Sequence, residues 1–210
     1  MAHCLPPDPV KYLVAVLWAD AGCRDEAMRL MESVWGSVDY VSADRLFDVT
    51  TYYRAEMGTT LYRRLIAFAT LYSPVHLLAA KYFTCRLEQL LARSAGRTVN
   101  LDIGYLDHNK VVLASLKPAG QKIYLGAGIY ADLIARYKAG TYRPMEWAFL
   151  DFKDGRYDAD LLAIRQLYLR QLRQWRCAAP PDSQAAAVES QARLLAALYP
   201  PEGPCPRPVF

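Results

Sequence analysis

Asn100 and Asp102 stand two residues apart in the stretch RTVNLDIGYLDHNKVVLASLKPAGQKIYLGAGIYAD (97–132), which otherwise reads as buried strand. Lys110, Lys117, Tyr124 and Asp132 interrupt the same stretch. A charge taken out of water costs several kcal/mol unless it is paired, so such groups mark a functional face or an ion-pair network. With Arg63 and Arg64 from an earlier segment they make a candidate binding set of carboxylate, amide, ammonium, guanidinium and phenol. Its lysines and arginines would hold a phosphate or carboxylate, and Asp102 would orient a donor or act as a base. A secondary set, Asp48, Tyr52, Tyr53, Glu56 and Tyr105, adds rings that can stack on a base or sugar. Tyr52 and Tyr53, read as strand neighbours, would point to opposite sides, one into the core and one outward. The competing reading is an ion-pair network at a sheet end or a dimer contact, with the tyrosines packed under a loop.

Other chemistries find less support. No GxxxxGK followed by Ser or Thr occurs, so there is no P-loop to cradle phosphates. No GxSxG elbow is present, and no cysteine has an evident histidine partner. Ser115 reads as a small packing residue. His3, His76 and His108 lack ligand spacing, and His76, in the first turn of a helix, is expected to be exposed. Asp48, Glu56, Asp102 and Asp132 are oxygen donors of the kind magnesium takes, but scattered ones. No cofactor is identified and no metal site is assigned; magnesium enters only with a nucleotide. Gly126-Ala127-Gly128 is too short for a dinucleotide fingerprint and reads as a bulge or tight turn between strands.

The elements that would position these residues are legible. The apolar run VKYLVAVLW (10–18) predicts a central strand, and Ala27, Leu30, Met31 and Val34 the buried stripe of a helix. Residues 38–49 are expected to be extended. In a strand at 61–71, Arg63, Leu65 and Ala67 share one face and Arg64, Ile66 and Phe68 the other. Ser73-Pro74 opens a helix to about residue 94, and 98–104 alternates as a strand. The order is β-α-β-β-α-β, which predicts an α+β fold with a ferredoxin-like core. Strands at 110–117 and 123–125, an antiparallel hairpin of 129–137 with 141–147, and a C-terminal helix at 158–175 extend it. The helix carries Leu161, Ile164, Tyr168, Leu172 and Trp175 as its stripe.

Composition sets the class. The 210 residues, 53% hydrophobic and 22% charged, suit one globular domain at 8–176, followed at 177–210 by a linker, a short helix and a Pro-rich tail. A net charge of +4 admits anionic ligands but falls short of a nucleic-acid footprint, so nucleic acid is not an expected partner. Five scattered cysteines, with no CxxC, fit reduced thiols in the cytoplasm, with Cys85 as a core residue. No apolar run is long enough to span a membrane, and no signal peptide is evident.

The segments TTYYRAEMG (50–58), RTVNLDIGYL (97–106), KVVLASLK (110–117) and KIYLGAGIYAD (122–132) resemble, in that order, an uncharacterised bacterial family known as a domain of unknown function, whose members are often labelled GTP-binding proteins. The resemblance covers about residues 8–170. The family typically has Pro where this chain has Ile103, His at Gln121, and Thr-Tyr-Pro-Asp-Tyr where it reads AFLDF (148–152). Two classes of function follow: binding of an anionic small molecule or nucleotide on the polar face of the sheet, or a non-enzymatic module that self-associates as a homo-oligomer. Catalysis is left unassigned.

Overall fold

The computed structural model describes residues 7–94 and 96–178. β1 (Val10–Trp18) buries both faces, as its unbroken apolar run demands. α1 (Ala21–Trp35) follows, with the Asp20 side chain accepting from the Cys23 amide at 2.9 Å as its N-cap. Where a single extended segment is expected, two short edge strands form, β2 (Val38–Val41) and β3 (Arg45–Leu46). After a loop with the one-turn α2 (Arg54–Met57) comes β4 (Tyr62–Tyr72). Its alternation is as expected: Leu65 and Ala67 face one core, Ile66 and Phe68 the other. A 3₁₀ turn at Pro74–His76 leads into α3 (Leu77–Leu90). His76 corrects the sequence reading: the tight turn turns its ring inward, and only 5% of it is exposed.

The second half supplies β5 (Val99–Leu106), β6 (Lys110–Ser115), β7 (Ile123–Gly126), β8 (Ile129–Lys138) and β9 (Thr141–Pro144). Gly126, Ala127 and Gly128, all at positive φ, make the tight turn between β7 and β8. α4 (Leu150–Lys153) and the long α5 (Asp158–Ala178) close the described chain. The tail expected after α5 lies outside the described residues.

The nine strands of the described residues join one antiparallel sheet in the order β2-β4-β1-β5-β6-β8-β7, with β3 beside β4 and β9 beside β8. α1 and α3 cover one face, over Tyr12, Val14, Val16, Ile66, Phe68 and Leu101. α5 covers the other through the expected Leu161, Ile164, Tyr168 and Leu172, packed on Leu13, Ala15, Leu65 and Leu113. Polar latches fix that helix. Lys11, fully buried, donates to both Asp39 oxygens at 2.8 Å, to the Phe68 carbonyl at 2.6 Å and to Gln171 at 2.9 Å. Burial pulls its pKa down, and Asp39 opposes that shift. Tyr40 and Arg45 both reach Asp160, at 2.6 and 2.7 Å, and Tyr168 donates to the Pro9 carbonyl. No helix among the described residues is long and apolar enough to cross a membrane.

One irregularity positions the candidate site. β6 pairs with β5 only at Gly104–Leu106, so the β6-facing edge of β5 from Val99 to Ile103 has no strand beside it. Gly104 is the branch point: a Cβ there would lie 2.1 Å from the Val112 carbonyl oxygen. Only glycine lets the two backbones meet so closely.

Candidate functional site

Strand register brings the central candidates to one face and one end of the sheet. Arg63 and Asn100 both flank Leu17, and Asp102 lies opposite Ala15. Across the split, Gly104, Leu113 and Asp132 form one cross-strand row, which puts Asp132 on the same face. The loop carrying Phe47, Val49, Tyr53 and Met57 packs beside Leu17 and covers this end.

Arg63 sits at the bottom. Its side chain is 1% exposed, lies 4.4 Å above the Phe47 ring, and binds Asp151 of α4 at 2.7 Å and Asp102 at 3.2 Å. Tyr157 also donates to Asp151, at 3.1 Å. Asp102 is the outward member, with a partly exposed carboxylate. Tyr53 lies beside it, and burial, reinforced by the Asp102 charge, pushes that phenol's pKa upward.

Next to this group the unpaired edge of β5 is satisfied by a helix instead of a strand. Glu88 of α3 accepts from the Leu101 amide at 2.6 Å, and Lys81, one buried stripe back, donates to the Leu101 carbonyl at 3.2 Å. Burial raises the pKa of Glu88, while Lys81, the Leu101 amide and Arg97 oppose the shift. Arg97 ties the pieces together. It forks onto Glu56 at 2.6 and 2.7 Å, and its remaining nitrogen reaches Asn100 Oδ1 at 2.9 Å and Glu88 at 3.3 Å. Asn100 is 5% exposed, and its Nδ2 has no hydrogen-bond partner among the described residues; Arg63 Nε and Asp151 Oδ1 are in the same position.

Beyond the split lies a second polar group. Lys122 reaches Ser115 Oγ at 2.8 Å and Asp132 at 3.3 Å. Burial raises the pKa of Asp132, with Lys122 opposing. Ser115 is therefore a polar contact, not the packing residue its sequence suggests. Lys117 Nζ lies 2.7 Å from the Tyr52 hydroxyl and 3.9 Å from that ring's centre. The Tyr52 and Tyr53 rings meet edge to face at 5.0 Å, which links this group to Asp102. Tyr52 is exposed and Tyr53 largely buried, but they occupy a turn entering α2, not the strand the sequence suggests.

The remaining candidates lie elsewhere. Arg64 points to the opposite face and forks onto Asp44 at 2.6 Å with both nitrogens. Lys110 pairs with Asp107 at the far end of β5 and lies 5.9 Å from the Tyr105 ring. Both Lys110 and Tyr105 line a separate cavity of about 240 Å³ with Pro74, Asp107, His108 and Tyr168. Tyr124 is exposed on the edge strand, against Tyr130, and Asp48 pairs with Arg156. The four carboxylates weighed as magnesium ligands are held by four different cations: Asp48 by Arg156, Glu56 by Arg97, Asp102 by Arg63, Asp132 by Lys122.

Sequence reasoning missed Lys81, Glu88, Arg97, Lys122 and Asp151. A signal existed for two of them, since Lys81 and Glu88 fall seven apart on the apolar stripe of α3, where an ionised side chain needs a partner.

Comparison with curated proteins and with solved structures yields no match. The model of one family matches residues 8–168, a span that holds all nine strands and every residue of this polar face. The chain therefore belongs to the family described as Domain of unknown function (DUF4416).

Proposed function

We propose that this protein binds a small molecule carrying an anionic group, in the polar recess where β6 departs from β5. The observation that carries this reading is the split itself. It leaves the Leu101 edge of β5, between Asn100 and Asp102, without a paired strand, with Tyr53 beside Asp102 and the Tyr52–Lys117 pair next to Tyr53. A ligand carboxylate or single phosphate would meet Lys117, while Asp102 would take a donor from the same molecule. Strands β2, β4, β1 and β5, adjacent in that order with α1 and α3 on one face, fit a ferredoxin-like core, and we take the domain as one unit on that basis. The free thiols Cys23 and Cys177 fit a cytoplasmic setting.

A nucleoside triphosphate is a poorer fit. Arg63, Arg97 and Lys122 each already face a carboxylate, so a polyphosphate would have to displace built ion pairs. The GTP-binding reading, and the magnesium that would accompany it, rank below a singly charged ligand for that reason.

The second reading, self-association, has one observation in its favour. Edge strand β7 exposes Ile123, Tyr124 and Leu125. Exposed apolar edge strands invite pairing with another chain.

A thermal-shift screen of nucleotides, phosphorylated metabolites and organic acids tests the proposal, with wild type beside Lys117→Ala. Ligand at about 100 times its dissociation constant stabilises the folded state by about 2.7 kcal/mol, a readily seen shift. A hit lost in Lys117→Ala, with the unliganded melting point held, is the expected result. No hit, with a dimer by light scattering, would transfer the argument to the β7 edge.

A further inference from the structure

We infer that the ligand of this recess carries an amide group, read by Asn100 and Asp102 together. The inference rests on the binding proposal above and adds to it the chemical class recognised.

The argument begins with what the ion pairs leave over. Arg97 fixes Asn100 by its Oδ1, at 2.9 Å, so the amide cannot flip without losing that bond. Nδ2 is thereby committed to the other side as a donor. It is buried and has no acceptor among the described residues. A buried donor without a partner is costly, and native proteins rarely tolerate one unless something else meets it. Two residues on, along the same face, Asp102 is held by Arg63 through one oxygen at 3.2 Å while its carboxylate stays partly exposed. Two residues of strand span about 6.6 Å, so a donor and an acceptor stand side by side. An amide is the complement of that pair: its carbonyl accepts from Asn100 and its N–H donates to Asp102. A carboxylate or phosphate satisfies Asn100 but sets like charge against Asp102.

The same charges argue against a polyanion. Arg63 bridges two aspartates and Arg97 two glutamates, and with Lys81 beside Glu88 and Lys117 at the rim four cations match the four carboxylates, so the walls are close to neutral. A near-neutral wall with one unmet donor and one accessible acceptor selects by hydrogen-bond pattern rather than by charge.

N-acetylglycinate and levulinate separate the cases. They share a carboxylate, a carbonyl and a length, and differ by an N–H in place of a methylene. Ligand-detected NMR titrations of the full chain should show N-acetylglycinate binding about tenfold or more tighter than levulinate, because a site built for an N–H rejects the analogue lacking it. Asp102→Asn should bring the two acids to within about twofold, whereas Asn100→Asp should weaken both, since both carry the carbonyl that Asn100 meets, with folding checked by circular dichroism. Should Asn100→Asp fail to fold, Asp102→Asn and the wild-type ratio carry the test. Lys117→Ala should weaken both acids alike. Equal binding of the two acids by wild type would overturn the amide inference and leave the anion site standing. Tripolyphosphate binding more tightly than either acid would do the same. No binding of any of the three probes at about 20 mM, beyond the roughly millimolar range open to small fragments, would overturn the amide inference and the binding proposal together.

Discussion

Arg63 shows how much the polar end of the sheet depends on pairing. Its partner Asp151 is fully buried, and removing the guanidinium would strand that carboxylate without a cation. Arg63→Met is expected to destabilise the protein by about 3–5 kcal/mol in urea titrations, the cost typical of breaking a buried pair from one side. Arg64→Met, next door but paired near the surface with Asp44, should cost under about 1 kcal/mol. Comparable losses for the two would contradict the assignment of faces. Glu88 offers a test by pH. Burial raises its pKa above the ordinary 4.5, so the folded state holds this proton more tightly than the unfolded state does. The stability tied to that proton is complete below the unfolded value and lost as pH rises through the folded one. Glu88→Gln removes the titration, so the stability of wild type relative to the variant should grow as pH falls from about 8 toward the unfolded glutamate value. A difference independent of pH over that window would show that Glu88 is not held this way.

At the scale of elements, the split between β5 and β6 depends on one glycine. Gly104→Ala places a methyl group within 2.1 Å of the Val112 carbonyl oxygen, so one strand must move. A loss of about 1–3 kcal/mol is expected, as for other overpacking changes, with broadened NMR signals for Asn100 and Asp102 next to the displaced strand. A neutral substitution would mean that the strands have slack at the branch. Much of this level was legible in the sequence. The alternation of Arg63, Leu65 and Ala67 against Arg64, Ile66 and Phe68, the β-α-β-β-α order and the stripe of α5 are local patterns, and local patterns survive folding. The split was not legible. Nothing within 98–104 says that its outer edge lacks a partner, because pairing is a relation between distant segments. Arg63 and Arg64 stand as alternatives in the sequence because the alternation sends them to opposite faces without saying which face carries the polar group. Lys110 and Tyr105 are close to Asp102 along the chain but not in space, because β5 carries its two ends apart.

The whole molecule is a sheet with a helical layer on each side, and the layers are unequal in origin. α1 and α3 come from the first half of the described chain, whereas the opposite face waits for α5, the last described element. Lys11 and Gln171 meet across 160 positions. Lys11→Met would leave Asp39 without its cation and loosen the helix, so a loss of about 3 kcal/mol is expected, with cleavage by protease beginning in α5. Cleavage that begins in the α2 loop instead, with α5 intact, would contradict that role.

The position of α5 also has a consequence for how the chain is made. Until residues 158–178 have left the ribosome, Leu13, Ala15, Leu65 and Leu113 have no cover, although their strands can already pair. A nascent chain in that condition presents a broad apolar sheet to solvent or to another nascent chain, the kind of surface that chaperones engage. A product ending just before residue 158 should associate with holdases, and one extended through residue 178 should not, so that the window of risk in this protein's life is set by the timing of α5.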